Sequence, residues 1–159
     1  LKHMLELFTR HGLFDINLTA RGDIEVDFHH TVEDIGICLG MAFNKALGDK
    51  RAIKRYGFFL LPMDEAIAEV AVDISNRPLL IFNAPALTRN VGDFDVELIR
   101  EFWEKFTIHA KITLHINLRN CANIHHGIEA IFKCAARALD MATSLDNRYN
   151  DIPSTKGIL

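Results

Sequence analysis

Apolar residues recur every three or four positions in four stretches of the chain, and they alternate with polar residues in several shorter stretches. The first spacing predicts α-helices with one buried face, and the alternation predicts β-strands. Helices are predicted over residues 1–11, 29–47, 96–109 and 124–145. Strands are predicted over residues 13–19, 22–28, 56–62, 65–74, 78–83 and 111–118. Helices and strands are therefore both predicted, mixed along one chain.

A motif of two histidines and a glutamate begins two of the predicted helices. Residues 29–34 read His-His-Thr-Val-Glu-Asp, and residues 125–130 read His-His-Gly-Ile-Glu-Ala. In each copy the first histidine and the glutamate share one helix face, and the second histidine lies about 100° further round. Each copy can therefore offer an imidazole and a carboxylate to one metal ion and a second imidazole to another. Two such copies indicate a paired-metal centre.

The similarity between the two parts of the chain extends beyond this motif. Four residue types recur upstream in the same order, as Glu6, Phe8, Thr9 and His11 and as Glu104, Phe106, Thr107 and His109. We therefore predict a duplicated, pseudo-symmetric and compact domain. The first half-repeat covers residues 1–88, and the second, with the C-terminal tail, covers residues 89–159. Because the chain opens inside a helix with no preceding strand, we expect N-terminal strands of the first half to be missing.

Composition excludes several classes of protein. The chain has 159 residues, of which 49% are hydrophobic and 25% charged, as in a globular domain. The net charge of −3 gives no electrostatic basis for binding nucleic acid. No apolar run approaches the ~18 residues of a membrane span, and the start lacks a signal-peptide pattern. Two of the three cysteines lie in predicted helices, which favours buried, reduced thiols and a cytoplasmic protein.

The motif by itself leaves several metal proteins open. Imidazole and carboxylate ligands suit Mn, Fe, Co, Ni or Zn, and the absence of cysteine argues against a structural zinc site of the cysteine type. A single histidine is more often a hydrogen-bonded core or surface residue, but four of the eight histidines stand in the two motifs. A dinuclear metallohydrolase and a structural or storage metal protein, such as a di-iron carboxylate bundle, use similar ligands. Turnover assays would separate the hydrolase, and substantial strand content would argue against the bundle.

Motifs along nearly the whole chain resemble those of the imidazoleglycerol-phosphate dehydratase family. They are HMLELFTRHGLFD (3–15), HHTVEDIGICLG (29–40), ALGDKRAIKRYG (46–57), PMDEA (62–66), GDFDVELI (92–99), ITLHINL (112–118) and HHGIEAIFKCAARAL (125–139). The resemblance implies an α+β fold of duplicated halves, each a sheet backed by two helices (ribosomal protein S5 domain 2-like). It implies a lyase of L-histidine biosynthesis that converts D-erythro-imidazole-glycerol phosphate to imidazole-acetol phosphate and water. In a plant such an enzyme would be expected in the plastid.

The resemblance also implies partners and a cofactor. The substrate is a small phosphorylated imidazole, and neither nucleic acid nor a membrane is involved. Two Mn²⁺ ions are expected per active site. Trimers are expected to assemble into a 24-subunit homo-oligomer whose active sites lie between protomers. The family's N-terminal strands, which carry a glutamate facing the substrate, are expected to be missing from this sequence.

Carried over by position, the resemblance assigns a role to individual residues. One metal ion is expected to be held by His3, His29, Glu33 and His126. The other is expected to be held by His30, His125, Glu129 and Glu101, where many relatives have histidine in place of Glu101. The catalytic residues are expected to be His29, Glu33, His125 and Glu129. The residues that match substrate-contacting positions are His11, Arg55, Arg77, Lys133, Ser154 and Lys156.

Overall fold

Four helices and four strands occur in the computed structural model, which describes residues 1–23, 25–87, 90–92, 94–148 and 150–159. The helices are α1 (Lys2–Gly12), α2 (His29–Ala46), α3 (Glu97–Ala110) and α4 (Ile124–Thr143). The strands are β1 (Tyr56–Met63), β2 (Ala66–Asp73), β3 (Leu79–Asn83) and β4 (Thr113–Asn120). The four predicted helices and the strands predicted after residue 55 are confirmed within a few residues. The predicted α+β class is confirmed with them.

The four strands form one sheet in the order β1-β2-β4-β3. β1 and β2 make an antiparallel hairpin in which Met63 pairs with Ala66 at the turn and Tyr56 pairs with Asp73 at the open end. β2 is also antiparallel to β4, whereas β3 is parallel to β4 and is joined to it through α3. Every second residue of β2 is buried, so one face of the sheet is covered by helices.

The helices form two layers on the buried face of the sheet. α4 packs on β1 and β2, and α3 packs on β3. α1 lies against α4 and α2 lies against α3, so α1 and α2 make the outer layer. Four aromatic side chains fill the centre, and their rings lie in edge-to-face, tilted and stacked contacts. They are the fully or nearly fully buried Phe102, Trp103, Phe106 and Phe132.

Two glycines let α2 approach the backbone of α3 closely. A Cβ atom at Gly36 would lie 2.8 Å from the carbonyl oxygen of Phe102, and one at Gly40 would lie 2.6 Å from that of Phe106. Such distances are shorter than ordinary van der Waals contact, so a larger side chain at either position would push the two helices apart. This close approach places the first turn of α2 beside the first turns of α3, where candidate site residues lie.

The arrangement of the helices agrees with an internal duplication. α1 and α3 both end in a residue with left-handed backbone, Leu13 with φ 55° and Lys111 with φ 57°. The helices that bear the two histidine motifs are α2 and α4. Since α1 packs on α4 and α3 packs on α2, the first helix of each half contacts the motif helix of the other half.

The strands predicted over residues 13–19 and 22–28 are wrong. The described residues of this segment form no strand and are mostly exposed. Alternating polarity makes an extended conformation favourable, but a strand also needs a neighbouring strand to bond its backbone. The sheet formed by the described strands is covered by α3 and α4, with α1 and α2 outside them. A sheet in each half is therefore not found among the described residues.

The boundary between the half-repeats remains a proposal. Residues 88 and 89, where we predicted it, lie outside the described residues. β1, β2 and β3 precede that point but share one sheet with β4, which follows it. The sheet therefore crosses the predicted boundary, which stays a prediction.

Two further properties bear on the environment of the protein. None of the described helices is long and apolar enough to cross a membrane. Cys134 is buried as predicted, but Cys38 is exposed because it lies on the outer face of α2. Burial raises the pKa of the Cys134 thiol to about 12, so this thiol is protonated and unreactive at neutral pH.

Candidate metal centre

The two histidine motifs lie in the first turns of α2 and α4. His29 is the first residue of α2, and its backbone N–H donates to Oδ1 of Asp27 at 2.8 Å. His125 is the second residue of α4, and its N–H donates to the side chain of Asn123, the N-cap, at 2.9 Å. The Asn123 cap fixes the start of α4, and the bond from His29 to Asp27 holds the first residue of α2.

The first ligand cluster consists of His3, His125 and Glu129. Nε2 of His3 lies 3.2 Å, and Nε2 of His125 lies 3.0 Å, from the same oxygen, Oε1 of Glu129. The two imidazole rings stack with their planes 2° apart. Because ligand atoms from all three residues lie within 4.8 Å of one another, they can bind one ion together.

The second ligand cluster consists of His29, Glu33 and Glu101, again with ligand atoms within 4.8 Å of one another. Nε2 of His29 lies 4.0 Å from Oε2 of Glu33. Lys105 Nζ lies 2.8 Å from Oε1 of Glu33 and 3.2 Å from Oε1 of Glu101, so it joins the two carboxylates. A cleft of about 610 Å³, lined in part by His29 and Glu101, opens beside this cluster.

The grouping of ligands differs from the one that we predicted. We expected His3 to share an ion with His29 and Glu33, and Glu101 to share one with His125 and Glu129. Within the chain, His3 instead lies with His125 and Glu129, and Glu101 lies with His29 and Glu33. The physical reason is the packing of α1 on α4 and of α3 on α2, which carries one residue of each half to the motif of the other half.

His30 and His126, the second histidines of the two motifs, belong to neither cluster. The His30 side chain is 71% exposed, and its ring lies 4.0 Å from Asp27. Nδ1 of His126 lies 2.9 Å from Oε2 of Glu65, and this hydrogen bond raises the pKa of His126. The same bond, together with one from the backbone of Asn123, lowers the pKa of Glu65 to about 2.

The motif carboxylates are ionised at neutral pH. Burial alone would raise the pKa of Glu129, but hydrogen bonds from Lys133 and His3 outweigh it and the pKa lies below its usual value. The hydrogen bond from Lys105 lowers the pKa of Glu33 in the same way. Nζ of Lys133 lies 2.6 Å from Oε2 of Glu129, on the oxygen that the imidazoles leave free. Each cluster therefore places imidazole nitrogens beside an ionised carboxylate, a set of donors that binds first-row divalent cations.

Sequence reasoning missed Lys105 and Glu65. Lys105 follows Glu101 by four residues, and this spacing was a signal that the two side chains share a helix face. Its contact with Glu33, which lies on another helix, had no local signal. Glu65 stands in the PMDEA motif, but its pairing with His126 joins residues that are far apart in the sequence, so no local pattern indicated it.

Two of the predicted substrate-contacting residues lie beside the first ligand cluster. Lys133 bonds to Glu129, as described. His11 lies in the last turn of α1, and burial, followed by the positive charges of Lys133 and Arg137, lowers its pKa. His11 is therefore neutral at physiological pH.

The remaining substrate-contacting candidates form a separate cationic group around Asp73. Arg55 donates through Nε to Oδ1 of Asp73 at 2.7 Å and through Nη1 to the carbonyl oxygen of Pro153 at 2.8 Å. Nη2 of Arg77 lies 3.3 Å from Oδ2 of Asp73. The contact with Pro153 holds the tail beside the arginines, and the next residue, Ser154, accepts the backbone N–H of Lys156 at 3.2 Å.

The cationic group and the ligand clusters lie at opposite ends of the sheet and of α4. The backbone N–H of Arg55 donates to the carbonyl oxygen of Ala142, in the last turn of α4, whereas His125 lies in the first turn. At 1.5 Å per residue, the helix separates these two positions by about 25 Å. A small phosphorylated imidazole cannot span this distance, so the two groups in one chain do not contact the same molecule of that kind.

Comparisons with known proteins decide the family. The sequence model of the imidazoleglycerol-phosphate dehydratase family matches residues 1–139. The chain belongs to this family. An imidazoleglycerol-phosphate dehydratase of Citrifermentans bemidjiense is 58% identical over 159 residues, which are 100% of this chain and 82% of the relative. The protein of the same name from Bacillus subtilis is 54% identical over 157 residues, which are 99% of this chain and 81% of the relative.

Solved structures of the family have the same fold. The imidazoleglycerol-phosphate dehydratase of Staphylococcus aureus matches with a TM-score of 0.84 and 47% identity, over 91% of this chain and 81% of that one. The enzyme from Pyrococcus furiosus matches with a TM-score of 0.83 and 36% identity, over 99% of this chain and 84% of that one. Members of the imidazoleglycerol-phosphate dehydratase family are hydro-lyases of histidine biosynthesis, and this chain is such an enzyme.

The donor sets of the two clusters fit a divalent cation in an imidazoleglycerol-phosphate dehydratase. Each cluster offers nitrogen and carboxylate oxygen ligands and no thiolate. Such ligands favour Mn²⁺ and other first-row divalent ions over a structural zinc site of the cysteine type. A di-iron carboxylate bundle is excluded because a four-stranded sheet carries two of the four helices.

Proposed function

We propose that this chain is a metal-dependent dehydratase that converts D-erythro-imidazole-glycerol phosphate to imidazole-acetol phosphate and water. The observation that carries the proposal is the pair of three-residue clusters, which a repeated motif builds in a chain of the dehydratase family. The side chains of both clusters are at least partly exposed, except for the largely buried Glu129. Each cluster is therefore open to a ring nitrogen of a substrate.

The proposed cofactor is two Mn²⁺ ions per active site. Three ligands of each ion come from one cluster, and His30 and His126 supply the remaining imidazoles from another copy of the chain. When bound, such ions supply Lewis-acid stabilisation and orient the imidazole ring of the substrate.

The ionised carboxylates give the chain a means of moving the proton in this reaction. The hydroxyl leaves from the carbon beside the imidazole ring, and a proton leaves from the next carbon. The resulting enol becomes the ketone when it takes up a proton on carbon and loses the proton of its hydroxyl group, so the net loss is one water. Glu33 and Glu129, whose pKa values lie below the usual range, are the proposed proton acceptors, with His29 and His125 as the catalytic imidazoles.

The cationic group is the proposed binding site for the phosphate. Arg77 contacts Asp73, and Ser154 and Lys156 follow Pro153, whose carbonyl oxygen accepts a hydrogen bond from Arg55. All three side chains offer donors of the kind that bind phosphate oxygens. Lys133 and His11 are proposed to contact the rest of the substrate near the metal ions. Remote binding of the phosphate would help to hold the imidazole in the reactive orientation.

The separation of about 25 Å between the cationic group and His125 supports an active site shared between chains. One protomer would supply the metal ligands, and its partner would supply the cationic group. We propose that trimers of this chain assemble into a 24-subunit shell, in which every site is completed in this way. We propose a cytoplasmic location, because the three cysteines are free thiols, as is usual in a reducing compartment.

The proposed reaction is tested by assay of the purified protein with Mn²⁺ and D-erythro-imidazole-glycerol phosphate. We expect imidazole-acetol phosphate to accumulate and free phosphate to remain absent. Release of phosphate without the ketone would instead support the metallohydrolase, which uses the same ligands to activate water. Two bound ions without either product would support a structural metal protein and contradict the proposal.

Replacement of Arg77 by alanine is expected to raise the KM for the substrate roughly tenfold to a hundredfold. The Arg77 side chain is 67% exposed, so it is free to meet a phosphate. Loss of a hydrogen bond to a charged group is worth about 1.5–3 kcal/mol, which corresponds to that range of affinity. Steady-state kinetics with metal analysis give the measurement, and the metal content should not change.

Arg119→Ala is the matched control for this variant. Arg119 is another exposed arginine of the same sheet, but it pairs with Glu69 through Nε at 2.8 Å and lies at the opposite end from Asp73. Its replacement should leave the KM within about twofold, because surface ion pairs contribute little. An unchanged KM in Arg77→Ala would remove Arg77 from the phosphate site.

A further inference from the structure

We propose that Glu65 is a positioning residue of the metal centre, which holds the His126 ring so that Nε2 is the nitrogen presented to a metal ion. This inference rests on the proposed metal-dependent function. Glu65 lies in the turn between β1 and β2, and His126 lies in the first turn of α4. Oε2 of Glu65 is 2.9 Å from Nδ1 of His126, which is hydrogen-bonding distance.

The Glu65 carboxylate is held in place by the loop that precedes α4. Its other oxygen, Oε1, accepts the backbone N–H of Asn123 at 2.7 Å. The carbonyl oxygen of Glu65 accepts a hydrogen bond from Nδ2 of Asn120, also at 2.7 Å. Because Asn123 is the N-cap of α4, the carboxylate is fixed relative to the helix that bears His126. Both ends of the Glu65–His126 bond are therefore ordered by neighbouring backbone.

The chemistry of the pair determines which ring nitrogen is free. Oε1 of Glu65 accepts the backbone N–H of Asn123, and a carboxylate acts as an acceptor of hydrogen bonds towards both of its neighbours. Nδ1 of His126 must then carry the proton, and a neutral ring has its lone pair on Nε2. A carboxylate that accepts from the far nitrogen of a ligating histidine fixes its tautomer and orientation and makes it a better ligand.

The other unclustered histidine has no such support among the described residues. His30 is the repeat equivalent of His126, but the carboxylate near its ring, Asp27, is 4.0 Å away and exposed. The His126 ring is therefore held in one orientation by a hydrogen bond, whereas the His30 ring is not held by Asp27. An effect of Glu65 is expected at the one ion that His126 binds, and not at the other.

Titration of the metal-free full chain with Mn²⁺, with free ion counted by electron paramagnetic resonance, tests this role. Glu65→Gln keeps the size of the side chain and an acceptor for Asn123. It should lower the affinity for one of the two ions about tenfold. Glu65→Ala should lower the affinity for the same ion by up to about a hundredfold, which is the range for loss of a partner that orients a metal ligand. In a His126→Ala background, Glu65→Gln should cause no further loss, since its effect acts through that ring.

Glu69→Gln is the matched control, because it removes the same charge from the adjoining strand, where Glu69 accepts from Arg119 and not from a histidine. It should bind both ions as the wild type does. Wild-type affinity for both ions in Glu65→Gln and Glu65→Ala overturns the role of Glu65 but leaves the metal centre standing. The role of Glu65 is also overturned if Glu69→Gln loses as much affinity for Mn²⁺. A further loss of affinity on adding Glu65→Gln to the His126→Ala background overturns it too. A wild-type chain that binds no Mn²⁺ overturns the proposed function itself.

Discussion

Replacement of His125 by alanine is expected to lower the metal content from two ions per chain to about one and to reduce turnover roughly a thousandfold or more. His125 and His3 contact the same oxygen of Glu129, so the first ligand cluster loses one of its two imidazoles. Lewis-acid stabilisation by a bound ion is worth several kcal/mol, and each 1.36 kcal/mol is a factor of ten in rate. Metal analysis after dialysis and steady-state assays give the two measurements.

His29→Ala should have the same two effects through the second ligand cluster. The control is His115→Ala, since His115 is an exposed histidine of β4 that belongs to neither cluster. That variant should retain both ions. A His125→Ala protein with near wild-type turnover, or wild-type protein that retains fewer than two ions, would contradict the assignment.

Removal of metal by a chelator is expected to dissociate the 24-subunit shell to smaller, trimeric units. If ligands of one ion come from different protomers, the free energy of metal binding contributes directly to assembly. Light scattering across a chelator titration measures the mass, and added Mn²⁺ should restore it.

Mild acid should act in the same direction as the chelator. A ligating histidine must be neutral, so protons compete with metal as the pH falls through the ordinary histidine pKa of about 6.5 and below. Return to neutral pH with Mn²⁺ should reverse the change. A mass that stays constant while metal analysis shows loss of both ions would mean that the metal does not hold the shell together.

The packing of α2 on α3 illustrates what local patterns did and did not predict. The periodicity around Gly36 predicted the helix, but it did not indicate that a glycine faces the backbone of Phe102. That contact brings Glu33 to Glu101 and Lys105, three residues from two helices. Lys105 was missed because its second carboxylate partner lies far away in the sequence.

The segment after α1 shows the same limit for strands. Residues 13–19 alternate in polarity no less regularly than β2. Of these two segments, β2 has a strand on each side, and residues 13–19 have none among the described residues. Backbone hydrogen bonds of a strand are satisfied by its neighbours, so alternation alone does not decide whether a strand forms.

The sequence by itself determined the four helices, the strands after residue 55, the duplicated motif and the family to which its motifs pointed. These follow from spacing along the chain, since residues three or four apart share a helix face wherever the helix packs. Only the tertiary structure decided that His3 joins His125 and Glu129, that Glu65 holds His126, and that Arg55 lies about 25 Å from His125. These contacts join residues far apart in sequence, and they depend on which helix packs against which. That choice is made by the fit of whole surfaces and leaves no periodic signal in the chain.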